Sequence, residues 1–220
     1  MKLIHMAFLM LLVFLMGCQK KEVQLPVIRI PGTTEIQNHS SIWIFFKEQD
    51  GDTTAILNKG NKILNTHWIF NVDKRLPMKK AVPHLIEMQE NRNKDSMHKK
   101  EGMLNYFSYA DTALEQISLT LFSPVNFVEK RPDQVGSELQ DPCLTEIEIL
   151  GDSLKIKDKA VELTKLYSVL SEQACDSTKT PSVRLTYSEN LAFQYYLQAR
   201  VYLSNREISC DSTEYIFTVK

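Results

Sequence analysis

Residues 147–170 read IEILGDSLKIKDKAVELTKLYSVL, and residues 182–203 read SVRLTYSENLAFQYYLQARVYL. Ile147, Ile149, Leu154 and Ile156 alternate with polar residues on either side of Gly151–Asp152–Ser153, the pattern of a β-hairpin. Leu163, Leu166, Tyr167 and Leu170 recur at i, i+3, i+4 and i+7, one helical stripe. Val183, Leu185 and Tyr187 alternate as a strand. Ser188 can cap the helix that follows, in which Ala192, Tyr196, Ala199 and Leu203 share a face. Residues 215–219 (YIFTV) close the chain as a strand. The order β-β-α-β-α-β predicts an α+β fold: mixed sheets with helices packed on one face.

Upstream, residues 41–46 (SIWIFF) are a dense apolar strand, and Asp50–Gly51 makes a turn back into a strand over 53–57, since Asp-Gly favours positive φ. Lys59–Gly60–Asn61 is another turn and 67–72 (HWIFNV) a third strand. Pro77 opens a helix that Pro83 should restart or kink. Residues 91–105 are polar and read as a loop, and 117–122 (ISLTLF) as a strand. HWIFNVDKRLPMKKAVPHLIEMQ and the 182–203 stretch both run strand, acidic residue, leucine, helix, with the acid–leucine spacing differing by one between Asp73–Leu76 and Glu189–Leu191. A duplicated unit and two unrelated βα units would both look like this. The expected organisation is a signal segment 1–17, a tether 18–40, an N-terminal α+β unit 41–128, a Pro-, Gly- and charge-rich linker 129–142, and a C-terminal unit 143–220.

The chain starts with Met1, Lys2 and an apolar run from Leu3 to Met16 broken only by His5. A bilayer span needs ~20 apolar residues; a short run behind a basic residue is a secretory signal. Leu15–Met16–Gly17–Cys18 resembles the lipobox of bacterial lipoproteins, except that Met16 stands where the family has a small residue. The resemblance implies cleavage between Gly17 and Cys18 and acylation of Cys18, whose acyl chains become the membrane partner at ~0.8 kcal/mol per buried methylene. Inner-membrane lipoproteins often carry Asp after the cysteine. Gln19 predicts the outer membrane instead. Gln19–Lys20–Lys21–Glu22 partly resembles a lipoprotein surface-export signal, and Lys21 interrupts it, so the expected face is periplasmic.

Residues 147–170 and 182–203 resemble the periplasmic domain of the ExbD/TolR biopolymer-transport family, with Lys159, Val161, Leu163 and Leu166 in a Lys-x-Val-x-Leu-x-x-Leu run. That family carries an acidic residue in a membrane helix for proton-driven work. Here Leu3 to Gly17 holds no Asp or Glu, so the resemblance implies an envelope binding or dimerisation module without proton coupling.

The chain has 220 residues, 43% hydrophobic and 9% aromatic, with a formal net charge of −1. These are globular values, and they recommend no nucleic-acid partner. Lys79–Lys80 and the other short basic clusters read as solvated surface. Beyond Cys18 the cysteines are Cys143, Cys175 and Cys210, an odd number outside the cytosol. Cys175 and Cys210 both begin Cys-Asp-Ser-Thr and both precede strands expected to be parallel, so they are the candidate disulfide. Cys143 opens a hairpin strand expected to start at the opposite end of the sheet.

Motifs for chemistry are missing. There is no phosphate loop and no nucleophile elbow, and no cysteine spacing fits zinc, so no cofactor or metal is expected. His84 and Glu87 at i, i+3 read as a surface pair. Asp73 reads as a strand-end cap. Tyr106, Phe107 and Tyr109 are candidate binding aromatics for a sugar or peptide, with core packing as the alternative. The sequence therefore predicts a lipid-anchored binding or interaction module, with peptidoglycan or an envelope complex as partner. The alternatives are an envelope enzyme with a scattered site, or a structural partner of a transport or surface complex.

Overall fold

The computed structural model describes residues 22–49, 51–94, 101–129, 144–172 and 182–218. The apolar leader, Cys18, Cys143, Cys175 and nearly all of the 129–142 linker lie outside them. The protein is α+β, with two mixed sheets and three α-helices among the described residues.

The first sheet contains β1 (Val27–Ile28), β2 (His39–Gln49), β3 (Asp52–Leu57), β4 (His67–Val72), β5 (Asn105–Asp111) and β6 (Gln116–Leu121). Strands β2, β4 and β5 run parallel, and β3 and β6 fold back antiparallel on the two flanks. Helix α1 (Met78–Asn93) crosses from β4 to β5. It runs through Pro83 without a break because Pro83 is on the exposed side, next to exposed Lys79, whose carbonyl loses its partner where water can replace it. The loop expected over 91–105 is shorter, since α1 continues to Asn93 and β5 starts at Asn105.

The second sheet contains β7 (Asn126–Glu129), β8 (Leu144–Ile149), β9 (Ser153–Ile156), β10 (Lys159–Glu162), β11 (Ser182–Ser188), β12 (Ser209–Cys210) and β13 (Thr213–Phe217). Its order is β10-β9-β8-β11-β13-β7. Helix α2 (Leu166–Glu172) leads to β11, and α3 (Phe193–Asn205) leads to β12 and β13. Tyr202 Oη of α3 donates to the carbonyl of Thr164, in the turn that leads into α2, at 3.1 Å, and Leu166 and Leu170 of α2 share the apolar core with α3. The stretch from Lys159 is not yet helical: β10 forms a third antiparallel strand before the chain turns into α2.

Strand β8 opens an antiparallel hairpin yet lies parallel to β11, with Leu144 opposite Ser182 and Thr145 opposite Val183. The hairpin's return strand is on the outside, so its first strand is free to pair with β11. Val183 also pairs with Cys210. The start of β8 is therefore at the same end of the sheet as Cys210, which corrects the expectation that this hairpin strand starts at the opposite end; Cys143 itself lies outside the described residues.

The two halves repeat. In each, a hairpin's first strand pairs with the strand that feeds a helix, and the helix returns to a parallel strand on the far side. At the junction the correspondence is residue by residue, at a constant offset of 115 (Leu76 to Leu191, Met78 to Phe193). Met78 N–H donates to Leu191 O and Phe193 N–H to Leu76 O, both at 2.8 Å; Lys79 N–H donates to Glu189 O at 2.8 Å and Gln194 N–H to Lys74 O at 3.1 Å. Each bond is the image of its partner, as about a two-fold axis. The turns match as well: Asp73 Oδ1 accepts from the Arg75 N–H at 3.1 Å, and Ser188 Oγ from the Asn190 N–H at 3.2 Å. Asp73 thus corresponds to Ser188 rather than to Glu189, which explains the one-residue mismatch between the acid–leucine spacings.

One apolar core runs through both halves, with Phe107 of β5 and Phe193 of α3 in edge contact at 5.3 Å. Strand β7, from the end of the first half, pairs with β13 in the second sheet. Most of the expected tether is also part of the fold. Pro26 O accepts from the Ala110 N–H at 2.8 Å, and Gln194 holds both Val27 N–H (2.8 Å) and Val27 O (2.9 Å). Strand β1 thereby occupies the gap left where β5 parts from β4.

Candidate functional site

A groove runs between the halves along the C-terminal part of α3, built from two neighbouring cavities of about 230 and 220 Å³ that share Leu121 and Ser204 in their walls. It begins where a strand ladder stops. Phe122 N–H donates inward to Asn105 O at 2.8 Å, so the alternate residues Leu119 and Leu121 point their backbone groups outward. Thr33 takes both groups of Leu119, at 3.1 and 2.7 Å. The next antiparallel partner, facing Leu121, would be Pro31, which has no N–H to give. The ladder ends there, and the N–H and C=O of Leu121 have no partner among the described residues.

Gly32 makes this opening possible by close approach. A Cβ at this position would lie 2.3 Å from Tyr109 Oη and 2.7 Å from Leu119 O. On the other side of Leu121, Gln89 of α1 clamps the chain: Val125 N–H donates to its Oε1 at 2.7 Å, and its Nε2 donates to Val125 O at 3.1 Å.

The far cavity has apolar walls from Leu121, Pro124, Val125 and Ile208. Its polar groups are largely unspent. Arg200 Nη1 bonds Glu214 Oε1 at 2.8 Å, but Nε and Nη2 have no partner among the described residues and neither is sealed from solvent. Ser123, Ser204 and Ser212 line the cavity, and their hydroxyls make no bond within the described protein. Asp211 is already paired with Arg184, Nε to Oδ2 at 2.6 Å. Convergent polar groups on an apolar wall, at an interface between units, are the usual form of a ligand site.

Glu214 is completely buried beneath the groove. It accepts from Tyr187 Oη at 2.8 Å, Tyr196 Oη at 3.5 Å and Arg200. Burial pushes its carboxyl above the ordinary value, and these donors pull it back. Cys210 also lines the cavity, and burial raises its thiol. A thiol held in that state is not an activated nucleophile.

The sequence candidates separate. Along β5, neighbours alternate in face: Phe107 and Tyr109 are buried, whereas Tyr106 is half-exposed on the outer face, edge-on to His67 at 6.0 Å. Tyr106 and Tyr109 both border the near cavity. His84 Nδ1 lies 4.0 Å from Glu87, and its Nε2 3.3 Å from Ala55 O. Among the described residues no cluster of three metal-ligating side chains occurs. Asp73 is buried and caps its turn, bound by Arg75 Nε and Nη2 at 2.9 and 2.8 Å and by the Gln24 N–H at 3.1 Å. Cys210 is at the edge of the cavity, and its candidate partner Cys175 lies outside the described residues.

No local pattern in the sequence marks the groove. Its walls come from the presumed tether, a Ser-Pro connection and the polar side of a helix, and only Pro31–Gly32 hinted at an interruption. No protein-family model matches the chain, and neither a curated protein nor a solved structure matches it.

Proposed function

We propose that this chain is a binding module of the bacterial envelope, held to the membrane through lipid on Cys18, whose groove between the repeated halves takes up an extended segment of a partner. The observation that carries the reading is the interrupted ladder at Leu121, where unpaired backbone groups open onto a cavity with unspent side-chain donors. Addition of a strand to such an edge is a common mode of peptide recognition. The apolar leader ending in Leu-Met-Gly-Cys supports the anchor. A hairpin, a helix and a strand running into a second helix fit the resemblance to the ExbD/TolR periplasmic domain.

The reading also places the body close to the bilayer. Only five residues lie between Cys18 and Gln24, six steps along the chain, and Gln24 is already bonded to Asp73 and Lys74. At ~3.4 Å per extended residue the tether reaches roughly 20 Å. Two variants test the two halves of the proposal. Cys18→Ser should move the chain to the soluble fraction or leave its leader uncleaved. Ser204→Trp, which fills the groove from an exposed position, should abolish the adducts formed in crosslinked envelopes while leaving the melting temperature within a few degrees. Unchanged adducts in Ser204→Trp would refute the groove as the site.

A further inference from the structure

We infer that the groove recognises a free carboxylate at the C-terminal end of an extended peptide, with Arg200 as the carboxylate's partner. The inference rests on the proposed function and adds the ligand's chemistry to it. Alongside Leu121 the groove offers a backbone donor and acceptor, which suit a main chain of any sequence. Beyond Leu121 the cavity wall is no longer strand: it is Ser123, Pro124 and Val125, and the backbone of Val125 is already taken by Gln89. A bound main chain therefore loses its ladder at the point where it meets Arg200, Ser204 and Ser212.

The chemistry of that end is set by charge. A guanidinium carries five N–H donors in a fixed fork and can serve two carboxylates. Arg200 serves one, Glu214, from below, and its Nε and Nη2 remain for a second from the groove side. A neutral amide would leave part of that fork unmatched. Arg200 is already balanced by Glu214, and Asp211 of the cavity wall by Arg184, so a phosphate dianion would add two uncompensated charges where a carboxylate adds one. A single negative charge with two planar oxygens fits best, and the serine hydroxyls can supply further donors. The apolar wall of Leu121, Val125 and Ile208 suits an apolar last side chain, and a cavity near 220 Å³ accommodates about one residue.

Peptide acid–amide pairs test this on the full chain from Cys18. The probes are a pool of fluorescent hexapeptides with a free α-carboxylate, the same pool C-terminally amidated, and isovalerate as a free small carboxylate. Binding is read by anisotropy, and the site by the NMR signal of the Arg200 Nε–H. The acid pool should bind at least tenfold tighter than the amide pool and shift the Arg200 signal. Arg200→Lys keeps a cation for Glu214 but loses the fork, and should narrow the acid–amide difference. Ser204→Val, which leaves Arg200 and Glu214 untouched, should weaken the acid pool alone. Equal binding of both pools, lost together in Ser204→Trp, would overturn the carboxylate while leaving the groove reading intact. Isovalerate binding as tightly as the peptides would overturn the peptide. Binding of none of the three would overturn this inference and the groove reading together.

Discussion

At the scale of single residues, close approach and burial fix what the positions tolerate. Gly32 has an unremarkable backbone angle; what it lacks is space for a Cβ, with the Tyr109 hydroxyl and a carbonyl in the way. Gly32→Ala should cost about 1–3 kcal/mol, as overpacking does, read as a lower urea midpoint with an unchanged m-value. Asp73 gives a pH signature. Burial alone would raise its carboxyl, but Arg75 and the N–H groups of Arg75 and Gln24 bind the charged form and hold it below the ordinary value. A depressed folded pKa means that its stabilisation is complete above the unfolded value, about pH 4, and is lost as pH falls through the folded one. Asp73→Asn keeps the turn acceptor but loses the charge. We expect a loss of about 1–2 kcal/mol at neutral pH, shrinking towards zero below pH 4. A deficit that stays constant down to pH 2.5 would refute the assignment. The sequence shows Asp73 as a strand-end cap, yet not its bond to Gln24, because the two are 49 residues apart.

At the scale of elements, two side chains hold segments that local pattern leaves undecided. Gln194 binds both backbone groups of Val27, so Gln194→Ala should speed hydrogen exchange of the Val27 amide by about tenfold, the equivalent of one ordinary hydrogen bond. Arg92 lies 3.6 Å over the Trp68 ring and donates to Asn105 Oδ1, Leu64 O and Thr66 O, tying the end of α1 to β4 and β5. Burial lowers its pKa to about 10. Lysine has neither the planar fork nor the stacking surface, so Arg92→Lys should destabilise by about 2–4 kcal/mol in urea melts. Strands β2 and β4 could be read from the sequence as dense apolar runs, β3 from the Asp-Gly turn before it, and β8, β9 and β11 because their apolar residues alternate. β1, β7 and β12 could not: each has two to four residues and is a strand only because a distant neighbour offers an edge. Tyr106 to Tyr109 looked like a cluster because sequence adjacency hides the alternation of a strand.

At the scale of the whole molecule, the repeat and the groove have one cause. The halves meet through paired helix starts and a shared core, and the space left along α3 is the groove. β7 and β1 cross the junction, so neither half is complete alone. Fragments 18–143 and 144–220 made separately should lack cooperative unfolding and regain it on mixing; a cooperative melt from either one by itself would contradict this. The repeat was visible in the sequence only as two similar strand–helix stretches, because the constant offset appears in backbone bonds and not in shared side chains. The central claim is that partners enter at Leu121. It is tested most directly by placing a photo-crosslinking residue, p-benzoylphenylalanine, at Leu121 and, in a second strain, at Leu150. Both are about half-exposed, and Leu150 sits in the β8–β9 turn, beside Gly151 and the opposite end of α3. Illumination of intact cells should give a discrete adduct from Leu121 and none from Leu150. Adducts from Leu150 alone, or the same adducts from both, would contradict the groove as the binding site.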